Sequence, residues 1–182
     1  MADQDPTTSP TSGDGAPNGG SQPEVAALAQ YIKDLSVENP SSPQVFQWQE
    51  QPQLDVQFNI AVNRVADEVH EVVLKIDASA RSQGGVHFVI DLSYAGLFAL
   101  RNLPEDALGP FMLVEAPRLL FPFARQIIAS AVQDAGFPPL MLDPIDFGAV
   151  YMQQAQAQAA SAQNGEGGSA LPDLGGGEPT VQ

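Results

Sequence analysis

Few residues in this chain are of the types that do chemistry, and their spacing is poor for it. His70 and His87 are its only imidazoles. A zinc site built on them would need carboxylates such as Glu71 and Asp91 to complete four ligands, and no motif joins these positions. There is no cysteine, which removes disulfides, thiolate nucleophiles and thiolate metal sites together. The neighbouring carboxylates Asp67 and Glu68 stand between two alternating runs, at a turn where water solvates both. No glycine-rich phosphate loop and no Gly-x-Ser-x-Gly elbow occurs. Catalytic residues, a metal and a cofactor are therefore not expected, and the histidines read as surface or edge imidazoles.

With chemistry set aside, charge and composition bound the rest. The 182 residues hold 22 acids against 7 bases, a net charge of −15. Residues 1–23 and 163–182 each carry three acids and no base, which leaves 16 acids and 7 bases, a net of −9, between them. Such a surface repels phosphate backbones, so no nucleic-acid partner is expected and a basic protein partner is. The same acidity would also serve solubility alone. Both flanks are rich in Pro, Gly and Ser with little to bury, and read as disordered extensions around one domain at 24–162. The first twenty residues lack the basic start and apolar run of a secretory signal. No stretch reads as the ~20 apolar residues that span a bilayer, so membrane insertion is not expected and a cytoplasmic location is.

Inside the domain the first half alternates with period two, the pattern of half-buried strands. Val56, Phe58, Ile60 and Val62 share one face of "DVQFNIAVN". Val72, Leu74, Ile76, Ala78 and Ala80 share a face against Glu71, Lys75 and Asp77. After the turn "RSQGGV", Phe88, Ile90, Leu92 and Tyr94 oppose His87, Val89, Asp91 and Ser93. The earlier "YIKDLSVEN" is a fourth strand, with Tyr31, Leu35 and Val37 on one side and Ile32, Asp34, Ser36 and Glu38 on the other. Beyond Leu103 the spacing turns helical. Pro104, Glu105 and Asp106 mark a start, Gly136 a stop, and Pro117 and Pro122 imply a kinked or two-piece helix. A second helix follows in "IDFGAVYMQQAQAQAAS", with Phe147, Val150 and Tyr151 on its apolar edge. Four antiparallel strands followed by two helices make an α+β fold.

The first helix is too apolar for its position. On a wheel of about 100° per residue, Leu120, Phe121, Phe123, Ala124, Ile127, Ile128, Ala131 and Val132 cover about half the circumference, wider than the stripe one sheet buries. A second copy of the chain is the simplest cover, with Leu120, Phe121, Phe123, Ile127 and Ile128 as interface residues. Two further surfaces stand out. Asp34, Glu38 and Asp91, with Val89 among them, point outward from strands; they read equally as a docking face and as ordinary exposed polarity. The connection "NPSSPQVFQWQEQPQL" holds Phe46 and the only tryptophan, Trp48. Such aromatics commonly pin a loop to the core. Alternatively, with Leu54, Val56, Phe58 and Tyr151, they line a groove for an extended apolar peptide.

At these residues the sequence resembles the SecB family of bacterial protein-export chaperones. The likeness runs from about Tyr31 to Met152 and rests on "KDLSVENP", "ADEVHEVVLKI", "LLFPFAR" and "GFPPLMLDPIDFGAVY". It implies a non-enzymatic, ATP-independent holdase that binds unfolded secretory precursors and hands them to the SecA motor. It further implies a homotetramer, a dimer of dimers with helices sandwiched between outer four-stranded sheets. By the same likeness SecA docks on Asp34, Glu38, Val89 and Asp91, and clients lie along Phe46, Trp48, Leu54, Val56, Phe58 and Tyr151. Trp48 stands two positions earlier than in the family's usual pattern, and Val89 and Asp91 replace the commoner Leu and Glu. The last twenty residues are acidic where some members are basic. The other readings are a chaperone relative serving a toxin–antitoxin system and a binder of small hydrophobic ligands.

Overall fold

The computed structural model describes residues 22–165, with side chains over residues 22–157. The extensions expected at 1–23 and 163–182 therefore lie almost wholly outside the described residues. Four strands, β1 (Glu24–Glu38), β2 (Gln53–Ala66), β3 (Val69–Ser82) and β4 (Gly85–Arg101), form one antiparallel sheet in the order β1-β4-β3-β2. β2, β3 and β4 follow one another through tight turns. Residues 39–52 carry the chain from β1, at one edge of the sheet, to β2 at the other. A short 3-10 turn, Gln44–Gln47, interrupts that crossing.

The alternation of β2, β3 and β4 holds in space, except at the start of β4, where a register shift between Ala80 and Arg81 leaves His87 as an extra residue on the same side as Phe88. Opposed residues of an antiparallel pair share a face, and Phe58 faces Ile76, Ile60 faces Leu74, and Ile76 faces Leu92. β1 departs from its expected pattern. It starts at Glu24 instead of Tyr31, and its register slips between Ala27 and Ala29 and again between Ile32 and Asp34. A bulge puts two residues of one strand opposite one of the next and so reverses the alternation beyond it. Ile32 consequently faces Tyr94 and joins Leu35 and Val37 on the inner face, while Tyr31 goes to the outer face opposite Ala95. The expected sides of Tyr31 and Ile32 are thus exchanged.

The helices cover the inner face. α1 (Glu105–Pro110), a π-helical turn (Phe111–Glu115) and α2 (Ala116–Asp134) run on as one element, and α3 (Phe147–Gly165) follows a connection without regular structure. The widened turn ends just before Pro117, where the ladder must lose an N–H in any case. Pro122 lies inside α2 without breaking it. Pro122 is exposed, so the carbonyl it leaves unpaired, that of Arg118, lies on the open side of the helix. The break expected at both prolines is therefore one π turn ahead of the first. By length and composition the run Glu105–Asp134 is long and apolar enough to cross a membrane, contrary to the sequence reading. Its inner stripe is packed on this sheet, as in the core helix of a globular domain.

That stripe also corrects the expected interface. Leu120 and Ile128 are fully buried and Phe121 nearly so, in one core with Val72, Leu74, Ile76, Ile90, Leu92 and Phe98. Each such side chain contributes about 1.5–3 kcal/mol within the chain and is not available to a second copy. Of the five residues expected there, Phe123 is exposed and Ile127 half-buried; Leu119, unnoticed in the sequence, is exposed beside them.

Candidate functional site

An open cleft of about 500 Å³ lies at the β2 edge of the inner face. The crossing segment supplies Val45, Phe46, Trp48 and Glu50; β2 gives Leu54; β4 gives His87 and Phe88; and residues 137–140 close the far wall. Its aromatic rings pack as a cluster. Phe137 sits 5.6 Å from Phe46 and 5.2 Å from Phe88, and Trp48 meets His87 edge-on at 5.0 Å. Two glycines admit these rings. A Cβ on Gly84 would stand 3.2 Å from the Trp48 indole, and one on Gly136 3.0 Å from the Phe46 ring. Gly136 also takes φ +92°, a left-handed conformation that ends α2. Phe46 is nonetheless 54% exposed and Leu54 47%, so the cleft offers apolar surface to water.

Of the residues expected to line a groove, Phe46, Trp48 and Leu54 meet in this cleft. Phe58 and Tyr151 meet in a separate, smaller hollow of about 90 Å³ with Ile60 and Leu113. Val56 lies between them on the inner face of β2, partly buried against the core. The groove is therefore two hollows joined along β2. β2 is an edge strand, so its outer side has no neighbouring strand among the described residues and can accept one, although the Ile60 N–H is held by the Asn59 side chain at 2.9 Å. Phe137 and Leu140 were missed, because they stand in a proline-rich connection with no periodicity to reveal a face. His87 is no surface imidazole: it is buried in the cleft wall, with Nε2 3.0 Å from the Ser82 hydroxyl. Among the described residues, no three His, Asp or Glu side chains gather as metal ligands would.

The outer face is of the opposite character. Asp34 lies opposite Ser93, Ser36 opposite Asp91, and Glu38 opposite Val89. Asp34, Glu38, Val89 and Asp91 therefore share one face, and the next strand adds Asp77 directly opposite Asp91. Two carboxylates so placed repel each other. Lys75 lies between them, its Nζ 3.0 Å from Asp91 and 3.5 Å from Asp77. Burial first, then the hydrogen bond and charge of Asp91, hold the Asp77 carboxyl above the usual carboxylate range. Asp91 keeps one buried oxygen, Oδ1, without a partner.

A second polar group ties the outer face together. Glu71 on β3 accepts hydrogen bonds from Lys33 Nζ at 2.7 Å, from Asn63 Nδ2 at 3.0 Å and from the Tyr31 hydroxyl. The Lys33 bond, then those of Tyr31 and Asn63, bring its carboxyl down to about 2. Strands β1, β2 and β3 are joined through this one carboxylate, over the top of β4.

An exposed aromatic cleft beside a free strand edge, backed by an acidic face, defines a polypeptide-binding protein. The family model described as preprotein translocase subunit SecB matches residues 18–158. The chain is 57% identical to the protein-export protein SecB of Sphingopyxis alaskensis over 83% of its length and 88% of that protein's. It is 54% identical to that of Erythrobacter litoralis, over 91% of this chain and 90% of the relative. Among solved structures it resembles a Mycobacterium tuberculosis SecB-like chaperone in complex with an antitoxin peptide. The TM-score is 0.55 at 17% identity, over 66% of this chain and 90% of that one, a likeness of fold. The chain belongs to the SecB family of protein-export chaperones, holdases that carry out no covalent chemistry.

Proposed function

We propose that this chain holds unfolded precursor proteins in the cytoplasm as a homotetramer, without ATP, and delivers them to the SecA motor for export. The observation that carries this reading is the aromatic cleft of Phe46, Trp48, Leu54, Phe88 and Phe137 beside the free edge of β2. An unfolded chain offers an apolar side chain to such a cleft, whereas a folded one has buried its own. Several weak contacts along one client add through effective concentration, so no single hollow has to grip tightly.

The tetramer is supported by apolar surface left uncovered. Val25, Ile32, Leu35 and Val37 line the inner face of β1 at 37–48% exposure, on the same side of the sheet as the exposed Leu119 and Phe123 of α2. SecA docking on Asp34, Glu38, Val89 and Asp91 is supported by their common face and by the added charge of Asp77. Light-scattering mass tests the reading, measured alone and with a chemically unfolded, slow-folding precursor. A tetramer that takes up one unfolded client and ignores the folded form is expected. A monomer indifferent to unfolded protein overturns it.

A further inference from the structure

The wall of the aromatic cleft holds one buried polar side chain, to which capture by apolar contact alone gives no role. Of the lining residues, only Glu50, His87 and the indole N–H of Trp48 bring polar side-chain atoms. Glu50 is exposed, and its Oε2 already accepts the Gly84 N–H at 3.2 Å. His87 is only 6% exposed. The register shift between Ala80 and Arg81 sets it in the wall, on the side of Phe88.

The two nitrogens of this ring are placed differently. Nε2 lies 3.0 Å from the Ser82 hydroxyl, whose oxygen also accepts the Gly84 N–H at 3.2 Å. Nδ1 has no hydrogen-bond partner among the described residues, and unlike Nδ1 of His70 it is not sealed from water. Trp48, edge-on at 5.0 Å, and Phe137 at 6.3 Å hold the ring between them. A neutral imidazole has one N–H and one bare nitrogen. Where Nε2–H donates to Ser82, Nδ1 is an acceptor; where the Ser82 hydroxyl donates to Nε2, Nδ1 is a donor. A phenol hydroxyl both donates and accepts, so it satisfies either form. An indole N–H only donates, and a phenylalanine ring does neither.

We infer that His87 makes the aromatic cleft selective for tyrosine among client side chains, with the tyrosine hydroxyl bonded to Nδ1. The inference rests on the client-binding reading above. The ring of either aromatic packs against Phe46, Phe88 and Phe137 in the same way, and the difference lies at the hydroxyl. In a wholly apolar cleft that group loses water and gains nothing, so phenylalanine binds better. One fixed polar partner in an otherwise apolar wall reverses the order. The cleft lies at the β2 edge, across the sheet from the exposed inner face of β1. Copies that meet through β1 and the outward side of α2 therefore leave it open.

The test uses two fluorescein-labelled peptides, identical except for a central tyrosine or phenylalanine, with binding followed by anisotropy on the full chain. The tyrosine peptide is expected to bind about fivefold tighter, the scale of one neutral hydrogen bond. The readout on variants is the ratio of the two affinities. His87→Leu should turn that ratio in favour of phenylalanine, and His87→Gln, which keeps a polar tip, should restore part of it. If neither peptide binds the unmodified chain, the client-binding reading itself fails. If both bind and the tyrosine preference is absent, or survives His87→Leu, the inference alone fails. Should His87→Leu lose both peptides, NMR of the imidazole nitrogens in the unmodified chain decides, with His70 as the internal control. A His87 Nδ1 signal that moves with the tyrosine peptide and not with its twin supports the inference. Equal movement with both, or none, overturns it.

Discussion

β1 pairs with β4 from Glu24 opposite Arg101 to Glu38 opposite Val89, yet one is covered and the other is not. Ile90 and Leu92 on the inner face of β4 are fully buried, while their register partners Val37 and Leu35 on β1 are 37% and 40% exposed. The residue types are alike and the separation is one strand, so neither propensity nor hydropathy explains the difference. Position does: α2 lies over β3 and β4, and only its margin, with Leu119 and Phe123, reaches toward β1. The stability of one chain is concentrated under the helix, and the inner face of β1 is left exposed.

Replacement of Leu92 by Ala tests the covered side and should give the largest effect. A loss of about 3 kcal/mol is expected from the cavity and the lost burial, read as a lower urea midpoint with the slope unchanged.

Glu71 comes next, because its three hydrogen bonds anchor β1 to strands that are themselves covered. Glu71→Gln should cost about 1–2 kcal/mol, discounted because Lys33 is half exposed. The pH dependence carries a definite sign. The folded carboxyl, at about 2, lies below its ordinary 4.5. Its stabilisation is therefore complete above pH 4.5 and is lost as pH falls from there through about 2. Urea melts between pH 7 and pH 2 should show the unmodified chain losing more stability across that window than Glu71→Gln; equal losses would remove this role from Glu71.

The uncovered side follows. Leu35→Ala should change the midpoint of one chain by roughly 1 kcal/mol or less but shift the assembly toward smaller particles on dilution. An unchanged mass profile would mean that β1 is not where copies meet. Smallest in stability is Asp34→Asn on the outer face, expected within about 0.5 kcal/mol. Its effect belongs to the partner: association with SecA should weaken and become less sensitive to salt.

Legibility followed the same division. β2, β3 and β4 were readable because a sheet with one covered face imposes strict alternation, and Val56 to Val62 and Phe88 to Tyr94 obey it. β1 was half readable. Its alanines between Val25 and Tyr31 carry little pattern, and its bulges answer to β4, which local sequence does not contain. Asp34, Glu38, Val89 and Asp91 could be put on one face because Asp34 and Glu38 lie beyond the second bulge of β1, where its register with Val89 and Asp91 of β4 is regular. The opposition of Asp77 to Asp91 could not, since it depends on register. Phe46, Trp48 and Leu54 were gathered by their types and nearness in sequence, whereas Phe137 and Leu140 enter the cleft only because α2 brings its own C-terminal connection back to the β2 edge.

By itself, the sequence determined the strands, the helical second half, the acidity, the family and the absence of cysteine chemistry. These are matters of composition, period and local motif, which each segment carries wherever it folds. Tertiary structure decided which half of the α2 stripe is core and which is surface, turned Leu120 and Ile128 inward, and left Phe123 and Leu119 outside. It also divided the expected groove into two hollows. Those outcomes depend on which element lies over which, and a helix stripe does not record the width of the sheet beneath it.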